Sequence, residues 1–248
     1  MDPAKTDLFD LTGRVALVTG GSRGLGAAMA RGLAAAGAQT YSVARSAPEH
    51  GDEGVHGVHA DLMIPEERAR VVDEVAREAG RIDILVHAAG QQHRAPAETF
   101  PMDQWHAILE LHVATAMDLS QRVARGMLER GAGKIILVSS VLAFQGGYTV
   151  SAYTAAKHAI GGLTQALANE WAGRGINVNA LAPGYFDAGV GEAVVKDPVR
   201  GPQILARIPA GRAGEPGELV GPVIFLASQA SSYMHGQTLV IDGGWLAR

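Results

Sequence analysis

Tyr153 and Lys157 stand four residues apart in the stretch SAYTAAKHAI, and on a helix that spacing puts both side chains on one face, about one turn apart. A free phenol has a pKa near 10 and is a poor base around neutrality. Lowering it by roughly 2–3 units takes about 3–4 kcal/mol of preferential stabilisation of the phenolate, and a neighbouring ammonium is one source. Ser140 lies thirteen residues earlier, at the end of the apolar run GKIILVSS. A phenol held beside an ammonium could move a proton. The same Tyr-x-x-x-Lys pattern also occurs on ordinary helix surfaces, so the surrounding residues must decide between the two readings.

A second chemical signature is the loop TGGSRGLG at residues 19–26, in which Gly20, Gly24 and Gly26 are interleaved with Ser22, Arg23 and Leu25. It follows an apolar run and precedes a helical one. Glycines in that position let the backbone approach a pyrophosphate, and the helix N-terminus favours its negative charge. The next apolar run ends in Ala44 and Arg45 with no carboxylate beside them. A carboxylate at that point suits the ribose 2′-hydroxyl of NAD, whereas guanidinium groups suit the 2′-phosphate of NADP. Arg23 and Arg45 therefore point to NADP(H) as the preferred cofactor, with NAD(H) as the alternative.

The elements that must position these residues are legible as an alternation. Apolar runs at 14–20, 39–45, 54–62, 82–90, 133–140, 176–184 and 238–244 read as strands, and the stretches 25–38, 65–80, 103–129, 151–173 and 216–228 read as helices. Pro65 and Gly80 sit where a helix starts and stops. Residues 185–215 are the least regular, with Pro198, Pro202 and Pro209 among several glycines. No linker interrupts the pattern, which predicts an α/β fold: a single-domain, Rossmann-type, doubly wound parallel sheet over residues 1–248. In such sheets ligands bind beyond the carboxyl ends of the strands, where the motifs above fall.

Composition narrows the class further. With 47% apolar and 19% charged residues the 248-residue chain is predicted to be globular, and a net charge of −4 without a basic block gives no electrostatic case for nucleic acid. The absence of cysteine excludes disulfides and thiolate catalysis. The polar start MDPAKTDLFDLTGR lacks a signal-peptide core and no apolar run is long enough to span a bilayer, so the expectation is a soluble cytoplasmic protein without membrane contact.

Taken in order, the loop at 19–26, ADL at 60–62, HAAG at 87–90, VSS at 138–140, YTAAK at 153–157 and APG at 182–184 resemble the short-chain dehydrogenase/reductase family over nearly the whole chain. The resemblance implies Tyr153 as general acid/base, Ser140 as hydrogen-bond partner of the carbonyl or alcohol, and Lys157 as the group that tunes Tyr153 and holds the nicotinamide ribose. The cofactor's positive nicotinamide would add to the stabilisation of the phenolate. Asp61 and Leu62 would lie near the adenine, Ala89 and Gly90 near the ribose, and Pro183, Gly184 and Phe186 near the nicotinamide. One departure is His112, in LELHVATA, where the family usually has an Asn that supports a water of the proton relay. A histidine could keep that relay or alter its pH dependence, and the other reading is a packed, hydrogen-bonded helix residue. His87 also replaces a frequent Asn and reads as structural. His56 and His59, three apart on a strand, point to opposite faces, so no metal site is expected.

Within the family, AFQGG at 143–147, ANEW at 168–171, INVNALAPGY at 176–185, RIPAGR at 207–212 and DGGWLAR at 242–248 resemble bacterial sugar-acid dehydrogenases of the 2-deoxy-D-gluconate and gluconate type. That implies a small-molecule substrate, a hydroxy or keto sugar acid, with Arg94 as the cation for its carboxylate and Gln145 and Tyr148 as polar neighbours. These relatives are usually associated with NAD, which the Ala44–Arg45 pair does not fit. Resemblance also implies a lid within 185–215 and a homotetramer built on the small residues of the 151–173 helix. A 3-oxoacyl or cyclic-ketone reductase remains the alternative enzyme, and a non-catalytic dinucleotide-binding protein the alternative outside catalysis.

Overall fold

Runs such as VALVT, ILVH and INVNALAP form central strands buried on both faces, so they need no polar alternation, whereas the edge run VHGVH is mostly exposed. The computed structural model describes residues 7–46 and 54–248; the polar start at 1–6 lies outside the described residues. The chain runs β1 (Val15–Thr19), α1 (Gly24–Ala35), β2 (Gln39–Ala44), β3 (Val55–His59), α2 (Pro65–Ala79), β4 (Ile84–His87), α3 (Met102–Leu109) and α4 (Thr115–Arg130). It continues with β5 (Gly133–Val138), α5 (Ser151–Trp171), β6 (Ile176–Pro183), α6 (Glu192–Val195), α7 (Arg200–Arg207), α8 (Val220–Ala227) and β7 (Thr238–Ile241).

All strand pairs are parallel, and the sheet order is β3-β2-β1-β4-β5-β6-β7. Strand order reverses between β1 and β4, which opens a crevice at their carboxyl ends. Register places Thr19 opposite His87 at that point. Two cores flank the sheet. One packs Val71, Val75, Leu119, Met127 and Ile160 against Leu17, Leu85 and Ile135; the other packs Met29, Leu33, Leu219 and Val223 against Val18, Ile84 and Ile136. Truncating any of these fully buried side chains to Ala would cost roughly 2–5 kcal/mol.

Local signals act as read. Pro65 opens α2, and Gly80 ends it with φ +78°, a left-handed conformation that glycine adopts without a Cβ penalty. Two segments depart from the reading. The helical stretch 103–129 is broken by a π-turn over Glu110–Ala114, because one extra residue is accommodated between α3 and α4. The irregular 185–215 segment contains α6 and α7; Val194 and Ile204 on them, with Ile208 just past α7, pack on Val141 and Trp245.

Candidate active site

Four elements converge at the crevice. β5 ends at Val138, and Ser140 caps the short 3₁₀ turn Val141–Ala143, its Oγ accepting the Leu142 N–H at 3.2 Å. The first two turns of α5 carry Tyr153 and Lys157, and the π-turn turns His112 inward. Tyr153, Lys157, Ser140 and His112 are all buried, at 7, 4, 8 and 2% exposure. The Lys157 Nζ donates to the Val138 carbonyl at 2.7 Å and lies 5.3 Å from the centroid of the Tyr153 ring. The His112 ring meets the Tyr153 ring edge-on, with centroids 5.3 Å apart.

Electrostatics here differ from the sequence expectation. Burial pushes the Tyr153 phenol up to about 12, with the Ser140 hydroxyl pulling partly in the other direction. Burial also pushes Lys157 down to about 7. In the protein alone, desolvation therefore sets the direction of both shifts. A base at Tyr153 needs a further positive charge in the cavity.

His112 is held as a neutral ring: burial first, then Lys157, lowers its pKa well below the ordinary value. Its Nε2 lies 3.1 Å from the Gln91 N–H and 2.9 Å from the Gln91 carbonyl, while Nδ1 is buried without a protein partner. A Cβ on Gly90 would collide with the His112 Cε1, so Gly90 makes room for the ring. His87 is bound on both sides. Its Nδ1 meets Thr19 Oγ1 at 3.0 Å and its Nε2 meets the Leu111 carbonyl at 3.1 Å, so Nε2 carries the proton. Thr19 Oγ1 also accepts the N–H groups of Ala88 and Ala89 at 3.2 and 3.1 Å. This network ties β1, β4 and the π-turn together beneath the crevice.

The crevice is a cavity of about 860 Å³. Its walls bring together Gly20, Ser22, Arg23, Leu25 and Gly26 from the loop, Arg45, Asp61 and Leu62 past β2 and β3, and Ala89 and Gly90 past β4. Ser140, Tyr153, Lys157 and His112 line it as well, as do Pro183, Gly184, Phe186, Arg94 and Tyr148. Gly24 is not on the wall; it has φ +57°, and a Cβ there would touch the backbone of Gly189. Gln145 is not on the wall either: its Oε1 accepts from Arg207 Nη2 at 3.2 Å, away from the catalytic groups. Sequence reasoning missed Arg200 and Tyr185, which line the cavity from the irregular segment, and Thr19, whose place at the end of β1 was its only signal. Thr149 takes a left-handed backbone, φ +61°, beside Tyr148, whose carbonyl accepts from Arg94 Nη1 at 3.4 Å.

These walls fit a dinucleotide. Gly20 has φ +70°, and a Cβ there would come within 2.8 Å of the Ala89 Cα, so the loop packs as closely on β4 as backbone allows. The α1 N-terminus faces the cavity through Arg23 and Leu25. Arg23 and Arg45 are exposed on its rim with no carboxylate partner among the described residues. Such free guanidinium groups suit a phosphate.

Comparison with known proteins agrees with this geometry. A family model described as enoyl-(acyl carrier protein) reductase matches residues 20–246. A 2-dehydro-3-deoxy-D-gluconate 5-dehydrogenase of Bacillus subtilis is 44% identical, with 98% of each chain covered. A solved structure from Beutenbergia cavernae, assigned as an NAD(P)-dependent gluconate 5-dehydrogenase and holding NADP at low occupancy, superposes with a TM-score of 0.93. It is 46% identical over 97% of this chain and 100% of that one. A gluconate 5-dehydrogenase of Burkholderia cenocepacia, solved with NADP and tartrate, gives a TM-score of 0.92 at 41% identity over 98% of both chains. The ordered motifs, the sheet with its crevice at the β1–β4 switch and these full-length likenesses establish that the chain belongs to the short-chain dehydrogenase/reductase family.

Proposed function

We propose that this protein is an NADP(H)-dependent oxidoreductase that interconverts a secondary hydroxyl and a ketone on a sugar acid of the gluconate type, within one catalytic domain over residues 1–248. The observation that carries the reading is the buried Ser140–Tyr153–Lys157 group in the same cavity as Arg23, Arg45 and Arg94. The names of the similar proteins, gluconate and 2-dehydro-3-deoxy-D-gluconate 5-dehydrogenases, supply the substrate class.

When bound, NADP(H) supplies or accepts the hydride and brings the positive nicotinamide charge of its oxidised form. Arg23 and Arg45 hold the 2′-phosphate, the loop at 19–26 and the α1 N-terminus hold the pyrophosphate, and Asp61 and Leu62 border the adenine. Ala89 and Gly90 border the ribose, and Pro183, Gly184 and Phe186 the nicotinamide. In oxidation, Ser140 hydrogen-bonds the substrate hydroxyl and Tyr153 takes its proton; in reduction Tyr153 gives that proton to the carbonyl oxygen. Lys157 holds the nicotinamide ribose and, while protonated, favours the phenolate. Arg94 binds the carboxylate, with Tyr148 on the rim. His112 keeps the backbone at Gln91 in place beside Tyr153 and takes no proton itself, since its ring stays neutral.

An acyl-thioester substrate is disfavoured because Arg94, Arg200 and Tyr148 put polar groups where an acyl chain would need an apolar channel. Residues 185–215 serve as the lid. On α5, a Cβ on Gly161 or Gly162 would meet nothing within 4 Å, so neither glycine is needed for packing inside the protomer. That supports the homotetramer, with a second copy against this helix. No helix among the described residues is long and apolar enough to cross a membrane, in keeping with a cytoplasmic enzyme.

Initial rates of D-gluconate oxidation at 340 nm, with NADP⁺ and NAD⁺ in parallel, test the reading. It expects turnover with the higher kcat/KM for NADP⁺. No turnover of gluconate or of other aldonic acids would overturn the substrate class, and a higher kcat/KM with NAD⁺ the cofactor.

A further inference from the structure

Two guanidinium groups line the cavity from different parts of the chain. Arg94 comes from the loop after β4, and Arg200 is the first residue of α7 in the irregular segment. Arg68 pairs with Glu110 at 2.5 Å and Arg122 with Asp118 at 2.8 Å. Arg94 and Arg200 have no such partner among the described residues. They are close enough to act on one another: burial, followed by the charge of Arg200, pushes Arg94 below the ordinary arginine range. Tyr185, half-buried, lines the same cavity and feels the charges of Arg200, Arg94 and Arg207.

The Arg200 position is built, not incidental. The Asp197 Oδ1 accepts the N–H groups of Val199 at 2.9 Å and Arg200 at 2.8 Å, and the Asp197 carbonyl accepts the Gly201 N–H at 2.8 Å. At its other end, α7 is fastened by Arg248, whose Nη2 and Nε donate to the carbonyls of Ala206 at 2.7 Å and Arg207 at 3.1 Å. A short helix tied at both ends thus presents a cation to the cavity, with Asp197 the carboxylate that feels its charge and no salt-bridge partner among the described residues.

We propose that Arg200 is the lid-borne half of a carboxylate clamp, closing on the substrate's terminal carboxylate opposite Arg94 and thereby setting both acid specificity and lid position. The inference rests on the sugar-acid reading above and deepens it. An anion between two guanidinium groups replaces their repulsion with charge-assisted, bidentate hydrogen bonds. It also links a residue of the fixed wall to a residue of the lid, so binding energy at the carboxylate goes into closing the site over the reacting carbon. A polyol of the same length offers neither effect.

D-gluconate and D-glucitol differ only in the carboxylate at one end, so they isolate the clamp. Wild type should favour gluconate in kcat/KM. Arg200→Met should lower the gluconate value roughly 10–100-fold, chiefly through KM, and collapse the preference toward parity. Arg200→Lys should fall between, since an ammonium keeps the charge and loses the fork. A second readout does not depend on turnover: with NADP⁺ present, D-gluconate should slow amide hydrogen exchange at residues 200–207 in wild type and not in Arg200→Met. An unchanged gluconate KM, an equal loss for both substrates, or no protection by gluconate in wild type overturns the clamp. If wild type oxidises gluconate no better than glucitol, the sugar-acid reading fails as well. A gluconate preference that survives in Arg200→Met removes the clamp and leaves that reading standing.

Discussion

Replacing Lys157 with Met should change how the stability of the protein depends on pH, in a direction and by an amount that follow from its burial. Lys157 is 4% exposed and burial pushes its pKa down to about 7, against an ordinary value of 10.5. Below pH 7 both folded and unfolded chains carry the ammonium, and the folded state bears the full cost of burying it. As pH rises from 7 the folded state releases the proton first, while the unfolded chain keeps it until about 10.5. The unfolded state then binds more protons, so stability rises with pH in this window. The slope approaches about 1.4 kcal/mol per pH unit, which gives a gain of about 2 kcal/mol between pH 7 and 9. Lys157→Met has no such group. It also removes the donor to the Val138 carbonyl, at a cost of about 1–3 kcal/mol that does not vary with pH. The assay is urea unfolding of both proteins at matched concentration, since assembly links stability to concentration. Lys134, which burial pushes down to about 8, titrates in both and cancels in the difference. Tyr153, at about 12, titrates above the window. A wild-type advantage that grows by about 2 kcal/mol from pH 7 to 9 is expected. A flat or falling difference would refute the claim that burial holds the pKa of this lysine far below its ordinary value.

The same geometry makes two further predictions. Arg45→Ala and Arg23→Ala should each weaken NADPH binding roughly 3–30-fold and leave NADH binding unaltered, because exposed guanidinium–phosphate contacts lose part of their strength to solvent; fluorescence titration of both cofactors checks this, and equal losses would remove the 2′-phosphate assignment. His112→Asn should leave the pH–rate profile of kcat/KM in place, since the ring is neutral throughout the working range and a carboxamide can donate to and accept from Gln91; a profile shifted by about half a pH unit or more would show that the imidazole titrates in turnover.

What could be read from sequence, and what could not, follows the reach of each signal. The strands and the residues ending them were legible because buried parallel strands are continuous apolar runs, so Ala89 and Ser140 fall close to where those runs stop. Helical spacing puts Tyr153 and Lys157 on one face, and only the ordered motifs around them set the pair apart from an ordinary helix-surface pair. The π-turn around His112 was not legible, since one added residue barely disturbs an apolar period read over 103–129. Arg200 was hidden for a different reason: it sits in a proline- and glycine-rich stretch without a period, and only the fold returns that stretch to the cavity. Gln145 was placed near substrate by its nearness to Ser140 in the chain. In the structure its Oε1 accepts from Arg207 Nη2. The upward shift of Tyr153 was likewise invisible, because spacing reports a neighbouring charge but not the desolvation that opposes it.

The most direct test of the account is the initial rate of NADPH-dependent reduction of 5-keto-D-gluconate by wild type and by Tyr153→Phe, with NADPH affinity measured on the same samples. The account predicts turnover by wild type, a loss of roughly 10²–10⁴-fold in the variant and an NADPH affinity that stays within a few-fold. A variant that keeps substantial activity while binding NADPH normally would contradict the assignment of Tyr153 as the proton donor.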